Sequence, residues 1–107
     1  MAKDIIIGID AGTSIIKAVA FTLNGKEIAT SSITNIYNTS QNGHATQALD
    51  TTWENCIKII LDIKKKIQNL KNRLALISIT GQGDGTWLID EKGNPVCDAW
   101  LWLDARS

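Results

Sequence analysis

The chain alternates between short apolar runs and polar turns, and the spacing of the apolar positions changes along its length. Ile5-Ile6-Ile7-Gly8-Ile9 is continuous and β-branched, the pattern of a central strand covered on both faces, and it ends at Asp10. Ala11-Gly12-Thr13-Ser14 is turn chemistry, and Ile15 to Thr22 is predicted as a second strand. Asn24-Gly25 is a strong hairpin signal, since both positions tolerate positive φ. Lys26 to about Ile36 alternates weakly and predicts a third, more exposed strand. The opening is therefore a three-stranded antiparallel meander. Asn38 to Ala48 is polar and aperiodic, contains Gly43, and predicts a loop.

The period then lengthens. Thr51-Thr52-Trp53-Glu54 fits a capping box, with Thr51 as the cap. Trp53, Cys56, Ile60, Ile63, Ile67 and Leu70 recur at spacings of three and four, one apolar helical face ending near Asn69 to Asn72. Leu74 to Ile79 predicts another buried strand. A helical crossover between it and the first strand implies that the two pair in parallel. Gly81-Gln82-Gly83-Asp84-Gly85 is a glycine-dense loop. Thr86 to Asp90 and Pro95 to Leu103 predict two further short strands around a turn at Glu91-Lys92-Gly93-Asn94. The sum is an α/β chain with a mixed sheet of the ribonuclease H type.

Composition narrows the function classes. The chain has 107 residues, the size of one domain, with 11 Lys plus Arg against 11 Asp plus Glu. That balance argues against a nucleic-acid partner. The cluster of Lys64, Lys65, Lys66, Lys71 and Arg73 reads as a solvated helix end that complements the helix dipole. Cys56 and Cys97 form neither a metal spacing nor a disulfide framework, and read as two small buried thiols in a reducing compartment. Three isoleucines before Gly8 make neither a signal sequence nor a membrane span, so a cytoplasmic location with no membrane partner is expected.

In α/β sheets ligands gather at the carboxyl ends of strands, where Asp10 and the loop at 81–85 both fall. A carboxylate such as Asp10 can hold a hydrated Mg²⁺. Gly12 admits a phosphate close to the backbone, Thr13 and Ser14 offer donors, and Lys17 adds a point charge. The same octet also reads as a plain hairpin with Asp10 bonded to its own turn. Gln82 and Asp84, between glycines, suit the hydroxyls of a polyol, or else form a tight surface turn. Trp100 and Trp102 read as strand core or as an indole platform for a sugar. Asp104 and Arg106 are placed to form an ion pair, and His44 reads as a solvated loop residue.

Taken in order, four segments resemble the FGGY carbohydrate kinases over essentially the whole chain. They are Ile5 through Asp10-Ala11-Gly12-Thr13-Ser14 to Lys17, the Gly43 loop leading to Trp53, Ile79 through Gly81-Gln82-Gly83-Asp84-Gly85-Thr86, and Leu101-Trp102-Leu103-Asp104-Ala105-Arg106. The resemblance implies two ribonuclease H-like domains of the actin and hexokinase type, with ATP and sugar in the cleft between them. It implies ATP-phosphate contacts at Gly12, Thr13, Ser14 and Lys17, and Asp10 beside Mg²⁺. Polyol or ketose contacts are implied at Gln82, Asp84 and Trp102, with Asp104 close to the pocket. The Glu-Gln-Asp-like triplet usual in the 43–48 loop reads Thr46-Gln47-Ala48 here, which leaves that loop outside the expected site. Gly83 replaces a larger residue and argues against glycerol, and Gln82-Gly83-Asp84-Gly85-Thr86-Trp87 looks most like the erythritol and L-xylulose kinases.

Family members are several times longer, and their proton-accepting aspartate lies in a later segment. The expectation is that residues 1–107 form the N-terminal part of the first kinase domain, incomplete and inactive alone, and that uncovered strands promote self-association. Two other readings stay open: a non-catalytic sugar or nucleotide sensor, and an interaction module whose glycine loops are only turns.

Overall fold

A computed structural model describes residues 2–106. Strands β1 (Ile5–Ala11), β2 (Ile15–Thr22) and β3 (Glu27–Thr34) form the meander. A hairpin of two short strands follows, β4 (Asn38–Thr39) and β5 (Ala45–Gln47). Helix α1 (Leu49–Lys66) and the single turn α2 (Leu70–Arg73) lead to β6 (Leu74–Gly81), and β7 (Ala99–Trp100) lies near the end. The main sheet has the order β3-β2-β1-β6, with β6 parallel to β1 and the other pairs antiparallel. A second, three-stranded sheet has the order β4-β5-β7.

The side-chain alternation of the strands assigns their faces. Ile5, Ile7 and Ile9 of β1 and Ile16, Ala18 and Ala20 of β2 point to one side and are buried there against Ile59 and Ile63 of α1. Ile67 and Leu70 extend this core towards the chain's turn into β6. A bidentate ion pair from Arg73 to Asp4, both contacts 3.1 Å, fastens α2 to the start of β1.

Several expectations need correction. Strand β1 is buried on its helix face only; Ile6 and Gly8 are half-buried and Asp10 is exposed. At the β2–β3 hairpin, of Asn24 and Gly25 only Gly25 takes positive φ, at 90°. The loop is Leu23 to Gly25, closed by Thr22 N–H to Lys26 O at 2.8 Å and Gly25 N–H to Thr22 O at 3.0 Å, so a single left-handed residue suffices. The 38–48 segment is not a plain loop, since β4 and β5 pair within it and β5 pairs with β7.

Helix α1 begins at Leu49 with Ala48 as its cap and no side-chain cap bond, so Thr51 is not the cap. Its buried stripe is Asn55, Ile59 and Ile63, while Trp53 is 66% exposed. Strand β6 is an exposed edge rather than a buried strand. The segments 86–90 and 95–103 contribute two isolated bridges, Thr86 with Trp100 and Ile89 with Pro95, besides the two-residue β7. Cys97 is exposed and Cys56 half-buried, and burial pushes the Cys56 thiol up.

Beyond the core, an apolar groove of about 860 Å³ runs over the helix side of β6, between Trp53 and Ile60 of α1, Ile77 and Ile79 of β6, and Trp87. Among the described residues no helix is long and apolar enough to cross a membrane.

Candidate functional site

Two bends meet at the carboxyl ends of β1 and β6. The β1–β2 bend and the loop after β6 line one open cleft of about 340 Å³, formed by Gly12, Thr13, Gly81, Gln82, Gly83, Asp84 and Trp102. Parallel pairing of Asp10 with Thr80 and of Ala11 with Gly81 brings the two bends side by side. A Cβ on Gly12 would lie 2.6 Å from the Ile15 carbonyl oxygen, so the bend closes only around glycine. Gly85 is similarly constrained, with φ 100° and a Cβ position 2.6 Å from Trp100 O. Gly83 has open space around it.

Trp102 joins the two walls. Its exposed indole donates from Nε1 to Thr13 Oγ1 at 3.1 Å, across 89 residues of sequence. The residue is 58% exposed, which leaves it available as a platform at the mouth of the cleft. Asp84 is also exposed there.

The remaining expected residues separate from this group. Asp10 and Lys17 are cross-strand partners on the sheet face opposite α1. With Thr80, Ser78 and Phe21 they line a neighbouring groove of about 320 Å³. Asp10 stands at the border, because its Oδ1 is 3.8 Å from where a Gly12 Cβ would be. Ser14 is exposed, and its carbonyl accepts the Asn35 N–H at 2.7 Å.

Asp104 is not in the cleft wall. It is 3% exposed and accepts from Ala45 N–H at 2.7 Å, and from the Arg106 N–H, Nε and Nη2 at 2.8, 3.0 and 2.8 Å. Arg106 lies 4.0 Å above the Trp100 ring. The guanidinium and these amides hold the Asp104 carboxyl well below the usual carboxylate range. Its partners make it a clip between β5 and the C-terminal segment.

The structure also brings in residues absent from the expected set. Gln47, fully buried, donates from Nε2 to Thr13 O at 2.8 Å and to Ile36 O at 3.3 Å. Its Oε1 accepts from Gln82 Nε2 at 2.9 Å. Asn35, 1% exposed, donates to Gly12 O at 3.4 Å and to Thr52 Oγ1 at 3.3 Å, and accepts from Asn55 Nδ2 at 3.2 Å. Gln82 Oε1 and Trp87 Nε1 are buried without a partner among the described residues, an acceptor and a donor. Both residues line a small recess behind the loop with Ala11, Thr52 and Gly81. A hydroxyl, which donates and accepts, is the kind of group that satisfies both senses.

Among the described residues no three His, Cys, Asp or Glu side chains cluster as a metal cage. A Mg²⁺ carried by a nucleotide needs no such cage, because phosphates and water fill most of its shell and one carboxylate completes it. Asp10, exposed beside the bend, fits that requirement.

Comparison with known proteins identifies the family and the fold. The profile of the FGGY family of carbohydrate kinases, N-terminal domain, matches residues 5–107. The erythritol kinase of Brucella abortus (strain 2308) is 51% identical over 104 residues, covering 97% of this chain and 20% of that protein. A xylulose kinase of Staphylococcus xylosus is 35% identical, covering 95% of this chain and 21% of its own length. Among solved structures, xylulose kinase from Rhodospirillum rubrum superposes with a TM-score of 0.87 at 22% identity, covering 95% of this chain and 21% of that one. Gluconate kinase from Lactobacillus acidophilus superposes at 0.84 and 26% identity, covering 94% and 20%. The chain thus spans about a fifth of the length of the relatives it matches. A profile match over nearly every residue, on a sheet that superposes on these kinases, places the chain in the FGGY family of carbohydrate kinases.

Proposed function

We propose that this segment is the N-terminal part, residues 1–107, of the first domain of an ATP-dependent kinase that phosphorylates a hydroxyl of a polyol or ketose. The observation that supports this most is the shared cleft. The Gly12-Thr13 bend and the Gln82-Asp84 loop line one hollow, and Trp102 spans them. In-line phosphoryl transfer depends on positioning and charge neutralisation more than on covalent chemistry, and two adjoining walls provide positioning.

The nucleotide supplies the phosphoryl group. In this reading Gly12, Thr13 and Ser14 hold its phosphates through backbone and hydroxyl donors. Lys17, across from Asp10 on the sheet face, adds a cation, and Asp10 holds the water shell of Mg²⁺. Asp84 and Gln82 orient the acceptor hydroxyl, with the Trp102 indole against the carbon side of the sugar. Asp104 supports the pocket from behind through Ala45 rather than touching substrate. In this reading a proton-accepting aspartate from a later segment would complete the site, and these 107 residues alone are expected to turn over nothing. The erythritol kinase relative, together with the small Gly83, favours a four-carbon polyol such as erythritol. A cytoplasmic enzyme, where ATP is plentiful, fits the same reading.

Expressed alone, the chain is expected to self-associate through the exposed β6 edge and its apolar groove. A monomeric mass by light scattering would count against that. The kinase reading is tested in the full-length protein by ATP-dependent phosphorylation of a panel of tetritols, pentitols and pentuloses. Turnover of at least one polyol or ketose supports it. Binding of both ligands without turnover points to a sensor, and binding of neither to an interaction module.

A further inference from the structure

Three consecutive carbonyls of the phosphate bend end on two buried residues. Gly12 O receives Asn35 Nδ2, Thr13 O receives Gln47 Nε2, and Ser14 O receives the Asn35 backbone N–H. Among the described residues every peptide is trans. In a planar trans peptide the C=O and the following N–H point in opposite directions. Turning the Gly12 and Thr13 carbonyls onto the buried wall therefore turns the N–H groups of Thr13 and Ser14 away from it, towards the open side of the bend. Two successive N–H groups presented this way form a receptor for an anion.

Gln47 has a second connection. Carbonyl oxygens only accept, so the end of Gln47 facing Thr13 O and Ile36 O must be its NH₂. Its Oε1 is then the atom that faces Gln82, and only the NH₂ of Gln82 can meet it. One buried amide thus fixes the orientation of the amide on the other wall of the cleft.

We infer that Gln47 is a positioning residue that couples the two substrates' subsites: it orients the phosphate-bend amides for ATP and the Gln82 amide for the polyol. This rests on the kinase reading above and assigns a task to a residue that need touch neither substrate.

The test uses the full-length protein with ATP and erythritol as the varied substrates. Gln47→Met keeps length and removes every hydrogen bond. It is expected to raise both KM values, each by about tenfold, the scale of one lost buried hydrogen bond. Gln82→Met is expected to raise the erythritol KM alone. The double variant should cost erythritol no more than the larger single change, because both singles break the same bond. Ile63→Val, a core change far from the cleft, serves as the control that lowers Tm and leaves both KM values in place. Should the Met variant fail to fold, Gln47→Asn, which keeps the amide but shortens its reach, carries the same expectation. A Gln47 variant that shifts neither KM or only one, or a double variant whose costs add, overturns the inference while wild-type turnover keeps the kinase reading intact. A wild-type protein that phosphorylates none of the tetritols, pentitols and pentuloses removes the basis of both, and if it takes one of these but not erythritol, that acceptor is the varied substrate.

Discussion

The two walls of the cleft are built in opposite ways. The β1–β2 bend has paired strands on both flanks, and its carbonyls are fixed by buried Asn35 and Gln47. The 81–85 loop leaves an edge strand, is largely exposed, and is anchored at Gln82 and by the Thr86–Trp100 bridge, with its N–H to O bonds of 2.8 and 3.0 Å. Fixed dipoles suit a ligand of constant shape and high charge, such as a triphosphate. A loop with little side-chain bulk suits the part of the site that must vary with the sugar. On the proposed reading the β1–β2 bend would be the common element, and the glycine loop would carry selectivity.

The largest expected effect lies on the selective wall. Asp84→Ala in the full-length enzyme should lower kcat/KM for the sugar by about 100-fold, the scale of one contact realised in the transition state. Steady-state kinetics with ATP held saturating checks this, and an unchanged value would remove Asp84 from the acceptor site. The next effects compare glycines. Gly12→Ala and Gly85→Ala each force a Cβ to 2.6 Å from a backbone oxygen. Each should destabilise by about 2 kcal/mol in urea unfolding, the range for backbone strain. Gly12→Ala should also weaken ATP binding, whereas Gly85→Ala should weaken sugar binding.

Asp104 gives a smaller, pH-dependent effect. Its folded-state pKa is depressed, so its stabilisation is present above the ordinary carboxylate value of about 4 and is lost as pH falls through the lower folded value. Asp104→Asn should therefore be less stable than wild type near pH 7, and the gap should close progressively below about pH 4. Chemical denaturation at several pH values reads this directly. A gap that stays constant with pH would remove the Arg106 pair as its cause. The smallest effect is Gly83→Ala, which meets nothing within 4 Å. It should change stability by less than about 0.5 kcal/mol, and any consequence should appear only in sugar preference.

The meander and the parallel β1–β6 pair were legible because β-branched runs and a helical crossover leave few topologies open. Strands β4 and β5 were not, because two- and three-residue strands have no period to read. They exist through partners far along the chain: β7 pairs with β5, and Asp104 clips Ala45 across 59 residues. The helix start was misread because Ala48 caps α1 without a side-chain bond, while Thr51 looked the better cap. The apolar face was legible from Cys56 to Leu70; Trp53 falls outside it, and Asn55, a polar residue, is buried at its N-terminal end because it meets Asn35.

At the site, sequence reasoning brought Gly12, Thr13, Gln82, Asp84 and Trp102 to one cleft. It did not separate Asp10 and Lys17 onto the adjoining sheet face, which follows only from strand alternation in register. Gln47 was hidden because Thr46 and Ala48 replace the two acids of the 46–48 triplet, whereas the glutamine kept between them was the signal.

The central claim is that nucleotide and polyol occupy opposite walls of one cleft. It is tested most directly by isothermal titration of full-length wild-type and Asp84→Ala proteins, each with Mg-ATP and with a four-carbon polyol. The expected result is that wild type binds both ligands, while the variant retains ATP affinity and loses the polyol. A variant that binds polyol as well as wild type does, or one that loses ATP instead, would contradict it.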